Sequence, residues 1–234
     1  MLRAAVRTGL MLCVVTGLSV PASAQVVQSL QLGFGGFFPR GLDSRASADV
    51  LAQDLNFLTF QVKDFHGLEV SGEWNVAFGN HIEATFGTAY YQRHVNSFYT
   101  SLVNTDGTNI TQQLGLRIIP LTAGVRFLPF GKMGHFQPYV GAGLGALNWR
   151  YTEVGQFVDP NNNVFSGRYS SSGTTVAPIV FGGAKVPIAG DIYAITMEVR
   201  YQGGAGTLDA SQQFAGSQID LSGFSTRMGL QIRF

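Results

Sequence analysis

The chain has 234 residues, of which 45% are hydrophobic and only 12% charged, with 30 Gly, 18 Phe and 8 Tyr. With 15 Lys and Arg against 14 Asp and Glu there is no basic excess to bind nucleic acid, and a single Cys excludes a disulfide within the chain. A composition rich in glycine and aromatics and poor in charge points to β architecture.

The first element is a leader. Arg3 and Arg7 precede an apolar run, Leu10 to Val20, followed by Pro21, Ala22, Ser23 and Ala24. A positive start, a short apolar core and an Ala-x-Ala site predict a secretory signal over 1–24, with cleavage after Ala24 and one domain over 25–234. The run is shorter than the ~20 apolar residues that a spanning helix needs. Cys13 lies inside this leader, so the mature chain is expected to hold no thiolate nucleophile and no Cys-ligated metal. Losing Arg3 and Arg7 leaves 13 cations against 14 acids, a net charge of about −1 with neutral His.

Eight runs alternate with the period of two that a strand imposes on its side chains. The first, about 28–38, places Leu30, Leu32, Phe34, Gly36 and Phe38 on one face. The second, 67–79, sets Leu68, Val70, Trp74, Val76 and Phe78 against Glu69, Ser71, Glu73 and Asn75. The third, 81–93, sets Ile82, Ala84, Phe86, Thr88 and Tyr90 against Glu83, Thr85 and Gly87. The fourth, 114–128, opposes Ile119, Leu121, Ala123, Val125 and Phe127 to Thr122, Gly124 and Arg126. The fifth, 136–151, opposes Val140, Ala142, Leu144 and Ala146 to Tyr139, Gly141, Gly143 and Gly145. The sixth, 174–187, has no clear phase. The seventh, 192–203, alternates Tyr193, Ile195, Met197, Val199 and Tyr201 with Thr196, Glu198 and Arg200. The eighth runs from about 219 to Phe234.

The connections alternate in length. Almost thirty residues separate the first two runs, and a tight turn at Gly79-Asn80 follows. Then come a long stretch at 94–113, a short turn at 131–134, a long loop at 152–173, a tight turn at Ala189-Gly190-Asp191 and a medium loop at 204–218. This asymmetry predicts an eight-stranded antiparallel up-and-down transmembrane β-barrel, with short turns toward the periplasm and four long loops outward. The first loop carries two further signals: Val50, Leu51 and Leu55 suit a short amphipathic helix, and Phe57, Phe60, Val62 and Phe65 suit either a strand extension or an extra hairpin giving ten strands.

A soluble barrel of the lipocalin kind shares the alternation but turns its apolar face inward. Three features favour the membrane. The apolar faces are large and nearly uncharged. Aromatics gather at strand ends, with Phe78, Phe130, Phe136 and Phe234 at one rim and Tyr90, Trp149, Tyr151 and Tyr201 at the other. The opposite faces mix charges with glycines, as a narrow lumen requires. In lipid the sheet must then close on itself.

The eight-run pattern, the segment Pro120-Leu-Thr-Ala-Gly-Val-Arg-Phe127, the run Pro138-Tyr-Val-Gly-Ala-Gly-Leu-Gly145 and the terminal Phe234 resemble small outer-membrane β-barrel proteins of the OmpA/OmpX/OmpW type. The resemblance covers nearly the whole mature chain. It implies residence in the bacterial outer membrane, contact with outer-membrane lipid, and a terminal signal, Met228, Leu230, Ile232 and Phe234, read by the barrel-assembly machinery. It implies no cofactor and does not choose among the activities that the fold hosts.

The inward charges are Glu69, Glu73, Glu83, Arg126, Lys185, Glu198, Arg200, Arg227 and Arg233. Height along the strands pairs Glu83 with Arg126 and Glu198 with Arg227, with Glu73 near the same layer. Mutual pairing predicts a salt-bridged lumen; switching pairs would instead make a narrow conductance path or a gate, and the OmpW-like resemblance implies as the alternative a narrow pore or carrier for small or hydrophobic compounds. Lipid A-modifying barrels use a His/Ser arrangement near the outer rim. Here His66 has no serine beside it, and His94 shares a stretch with Ser97, Ser101 and Asp106; this is too little to predict an enzyme. His81 and His135 lie at the opposite end. Asp159-Pro-Asn-Asn-Asn163 reads as a turn before a metal site. Asn109-Ile-Thr111 matches a glycosylation sequon that a bacterial surface leaves bare. The loop aromatics Phe98, Tyr99, Phe157, Phe165 and Tyr169 serve either packing or a binding surface. Pro178 predicts a bulge in the sixth run. The apolar phase of the fifth changes near Leu147, which predicts a bulge or an exit from lipid there.

Overall fold

The computed structural model describes residues 27–132, 134–188 and 192–234. The expected signal over 1–24, with Cys13, and the turn at 189–191 lie outside these residues. Eight strands form the wall: β1 (Val27–Pro39), β2 (Gly67–Phe78), β3 (Ile82–Val103), β4 (Asn109–Phe127), β5 (Gln137–Val158), β6 (Val164–Ile188), β7 (Tyr193–Gln202) and β8 (Gly223–Arg233). Each pairs antiparallel with its neighbour in sequence, and β1 pairs with β8 from Ser29↔Arg233 to Pro39↔Gly223, closing the ring. A closed ring leaves no unpaired strand edge, which is the condition for a sheet in hydrocarbon.

The outward positions form an apolar belt. Leu32, Phe34, Leu121, Val140, Leu144 and Val176 are all exposed on it. Phe78, Phe130, Phe136 and Phe234 are exposed at the short-turn rim, where an aromatic girdle lies at a membrane–water interface. Gly79 turns β2 into β3 with φ of +67°, a conformation that costs a side chain roughly 1 kcal/mol or more.

Two of the expected long loops are not loops. The stretch 94–113 is strand up to Val103 and again from Asn109, and 152–173 is strand up to Val158 and again from Val164. The β3–β4 and β5–β6 hairpins therefore stand well above the belt as a tall wall. β7, β8 and β1 stop low, and the connections 40–66 and 203–222 fill the space above them. The ten-strand alternative fails: the segment after the first-loop helix contributes only a two-residue ladder, Leu58–Thr59 against Phe98–Tyr99, and a 3-10 turn at Val62–Phe65.

The phase change at Leu147 is the exit from lipid. The backbone register does not slip, and Tyr139, Leu147, Trp149 and Tyr151 all face inward. What changes is which face is apolar. Within the belt the outside is apolar and the inside ionic; above it the inside is apolar and the outside polar, as in a water-soluble domain. The level of inversion is marked by adjacent apolar residues that point opposite ways: Phe37-Phe38, Tyr90-Tyr91, Ile118-Ile119 and Ala146-Leu147. Trp149 and Tyr151 are therefore buried, not part of the upper aromatic girdle.

Pro178 makes no bulge either. β6 pairs with β5 in unbroken register through Leu144↔Pro178, and on its other side the ladder with β7 begins only at Ile179↔Gln202. The Pro178 carbonyl accepts from Gly203 N at 3.1 Å, so its nitrogen faces the place where β7 turns away. The missing N–H leaves no ladder bond unmade.

Candidate functional site

The inward charges of the belt meet in one lattice. Arg126 of β4 donates to Glu73 of β2 at 2.5 Å, to Glu198 of β7 at 3.2 Å and to Glu83 of β3 at 3.4 Å. Arg200 of β7 reaches Glu73 and Glu198, both at 2.8 Å. Lys185 of β6 donates to Glu83 at 2.5 Å. Arg227 of β8 donates to Glu69 of β2 at 2.6 Å and approaches Glu198 at 3.8 Å. Four carboxylates thus meet four cations, and all eight residues are buried. Desolvating an ion costs several kcal/mol, so a missing partner would be expensive.

The route of these pairs matters more than their number. Glu83–Arg126 and Glu198–Arg227 join neighbouring strands at directly opposed positions. Glu73–Arg200, Glu198–Arg126 and Glu83–Lys185 join strands three places apart around the ring, so they cross the lumen. Arg126 also stacks on Tyr139, with 4.0 Å from guanidinium carbon to ring centre, and Arg200 sits 4.8 Å from the Phe181 ring centre. Tyr139 donates its hydroxyl to Glu198 at 3.0 Å. The glycines of β5 make this filling possible: a Cβ on Gly141 would stand 2.4 Å from the Phe181 ring. Arg233 sits half-buried at the short-turn end, outside the ion pairs of the described residues.

Above the lattice lies an apolar dome. Phe37, Tyr91, Leu114, Leu116, Ile118, Leu147 and Trp149 line it from the strands, and Val50, Leu51, Phe65, Leu208 and Ile219 fill it from the two long connections. The short helix α1 (Val50–Asp54) places Val50 and Leu51 wholly inside. A five-residue helix is not stable alone in water; burying those two side chains, at about 1.5–3 kcal/mol each, holds it. Two polar clasps tie the connections together. Asp49 caps α1 by accepting from Ala52 N at 3.3 Å, binds Arg45 at 2.9 Å and accepts from Asp220 N at 2.6 Å. Arg40 binds the Asp220 carboxylate at 2.6 Å.

A second polar group inside the dome joins none of the ion pairs among the described residues. Tyr151 donates to Asp54 at 2.9 Å, and Glu153 lies beside them on β5. Burial, then the charge of Glu153, raises the Asp54 carboxyl well above its ordinary range, and burial raises Glu153 to about 7. One oxygen of each carboxyl has no hydrogen-bond partner.

The dome, its clasps and this acid pair were missed in sequence reasoning. The signal was present: each adjacent apolar doublet marks the level where a strand changes solvent.

The candidate His and Ser positions do not converge. Ser97 points inward from β3 and donates to the Gln112 carbonyl at 3.2 Å, whereas His94 points outward and bonds Gln92 at 2.8 Å. His66 packs edge-on against Phe38, and His81 stacks on Phe127 at the other end. The Asp159 carboxylate accepts from the Asn161 and Asn163 amides at 2.8 Å, which is turn chemistry. Among the loop aromatics, Phe157 packs against Phe165 and Tyr169, and Tyr99 against Phe57. Met228, Leu230 and Ile232 lie outward on β8, and Phe234 is exposed just past its end.

A closed antiparallel ring with an apolar belt and an ionic interior defines the class of transmembrane, outer-membrane-type β-barrels. No family model and no curated protein matches the chain. Among solved structures it is similar to Neisserial surface protein A, with 10% identity, 89% of this chain and 97% of that one covered, and a TM-score of 0.49. It is similar also to Ail, the attachment invasion locus protein of Yersinia pestis, with 12% identity, 89% and 99% coverage and a TM-score of 0.44. A third is the outer-membrane protease OmpT of Escherichia coli, with 8% identity, 91% and 98% coverage and a TM-score of 0.46. Likenesses this distant carry nothing about activity.

Proposed function

We propose that the chain is an integral protein of the bacterial outer membrane whose lumen is closed, and whose work is structural or interactive through the dome and hairpins that project outward. It acts without enzymatic turnover. The single observation that carries this reading is the set of ion pairs linking strands three places apart, which runs side chains across the interior of a ring only eight strands wide. The apolar dome supports it too, since α1 occupies the space above the lattice. Met228, Leu230, Ile232 and Phe234 serve as the signal for the assembly machinery in this reading.

The test is planar-bilayer recording on the purified full chain. Wild type is expected to give no stable steps. Steps whose size changes in Glu198→Ala or Arg227→Ala would identify the lumen as a conducting path and overturn the reading.

A further inference from the structure

We propose that the outer face of the tall wall holds a phosphate-bearing acylated lipid, its phosphate in a pit made by Arg117, Arg150 and Arg168 and an acyl chain in the groove below. Arg117 and Arg150 stand directly opposite each other on β4 and β5. Two like charges at opposed cross-strand positions repel, and neighbouring opposite charge normally relieves this. No such charge is present: no outward position of β3–β6 above the belt is acidic, since Glu153 faces inward. Among the described residues no ion pair engages Arg117, Arg150 or Arg168. The Arg117 Nε is buried without a hydrogen-bond partner.

The three arginines line one depression together with Gln92, His94 and Thr152. Gly115 is its floor. A Cβ there would stand 2.5 Å from Thr152 Oγ1 and 2.9 Å from His94 Nδ1, so the depression exists because this residue has no side chain. Three arginines lining one concave surface without a carboxylate fit a phosphate, whose oxygens accept paired N–H bonds.

The position identifies the carrier of that phosphate. Arg117 lies one outward step above Ile119, where β4 leaves the belt. Directly below, on the same four strands, an apolar groove runs between Phe86, Leu121, Leu144 and Val176, with Ala123 and Ala146 between them. A cationic pit over an apolar groove at the edge of the belt is complementary to a lipid with an anionic head, not to a free anion. The inference rests on the belt meeting hydrocarbon.

The test is native mass spectrometry of the full chain in detergent, with lipid A carrying its phosphates and with the same lipid after phosphatase treatment. Wild type is expected to retain the phosphorylated lipid at least tenfold better, and Arg117→Gln/Arg150→Gln to retain both equally. Ala146→Phe, which fills the groove, is expected to weaken both forms together. Inorganic phosphate at the lipid's concentration is expected not to displace it. Equal retention of the two lipids by wild type, or displacement by equimolar phosphate, overturns the inference and leaves the membrane reading intact. Retention of neither lipid overturns the inference alone; a chain that stays soluble and monodisperse without detergent overturns the membrane reading. The wild-type comparison needs no variant to fold.

Discussion

Arg126 and Glu198 sit on strands three places apart in the ring, and their ion pair at 3.2 Å spans the barrel interior. Arg126 is wholly buried and serves three carboxylates at once. Replacing it by Met would leave Glu73, Glu83 and Glu198 to share fewer cations in a low-dielectric interior. We expect a loss of roughly 3–5 kcal/mol, the usual cost of breaking a buried pair from one side. Urea unfolding in lipid vesicles measures it.

The Lys185–Glu83 pair gives a sharper form of the same idea. Each single change, Lys185→Met or Glu83→Gln, strands a charge and is expected to destabilise. The double variant strands none at that contact and should cost less than the sum of the two. A double-mutant cycle in the same vesicles checks it; strict additivity would show that the pair does not interact.

Asp49 is the keystone of the clasp between the two long connections. Its carboxylate caps α1, holds Arg45 and receives the Asp220 amide. Asp49→Ala leaves Arg45 buried without its counter-charge. We expect the dome to loosen while the belt stays folded. Faster proteolysis after Lys63, with an unchanged heat-modifiable band for the barrel, is the expected readout.

Asp54 and Glu153 make dome stability fall as pH rises. Burial raises both carboxyls, so the folded dome favours their protonated forms. An acid whose pKa is raised on folding stabilises below its unfolded value and loses that contribution as pH climbs through the folded value. For Glu153 the loss runs from about 4.5 to about 7. Each titrating group contributes a slope of up to about 1.4 kcal/mol per pH unit in its window. In a Trp74→Phe background the emission of Trp149 reports the dome alone. Its melting temperature should be higher at pH 5 than at pH 8, and Asp54→Asn/Glu153→Gln should flatten the dependence.

Pro178→Ala is expected to be mild, because no partner strand awaits its N–H. The loss should be about 1 kcal/mol or less, from the freer unfolded chain alone. A larger loss in urea unfolding would place a hidden strain at that position.

Strand number, barrel closure and the inward charges were legible from side-chain alternation, because a period of two is enforced by backbone geometry wherever the two faces meet different media. Glu83 opposite Arg126 and Glu198 opposite Arg227 could be read by counting rise along neighbouring strands. The cross-lumen contacts of Glu73 with Arg200 and of Glu83 with Lys185 could not, since no local rule relates strands that are not adjacent. The stretches 94–113 and 152–173 read as loops because their outward positions are polar, yet polarity outside a strand above the membrane is what water demands. Alternation alone told β from α; only the tertiary structure decided where each strand left hydrocarbon for water, because that level is set by how the whole ring packs and by which loops return to fill it.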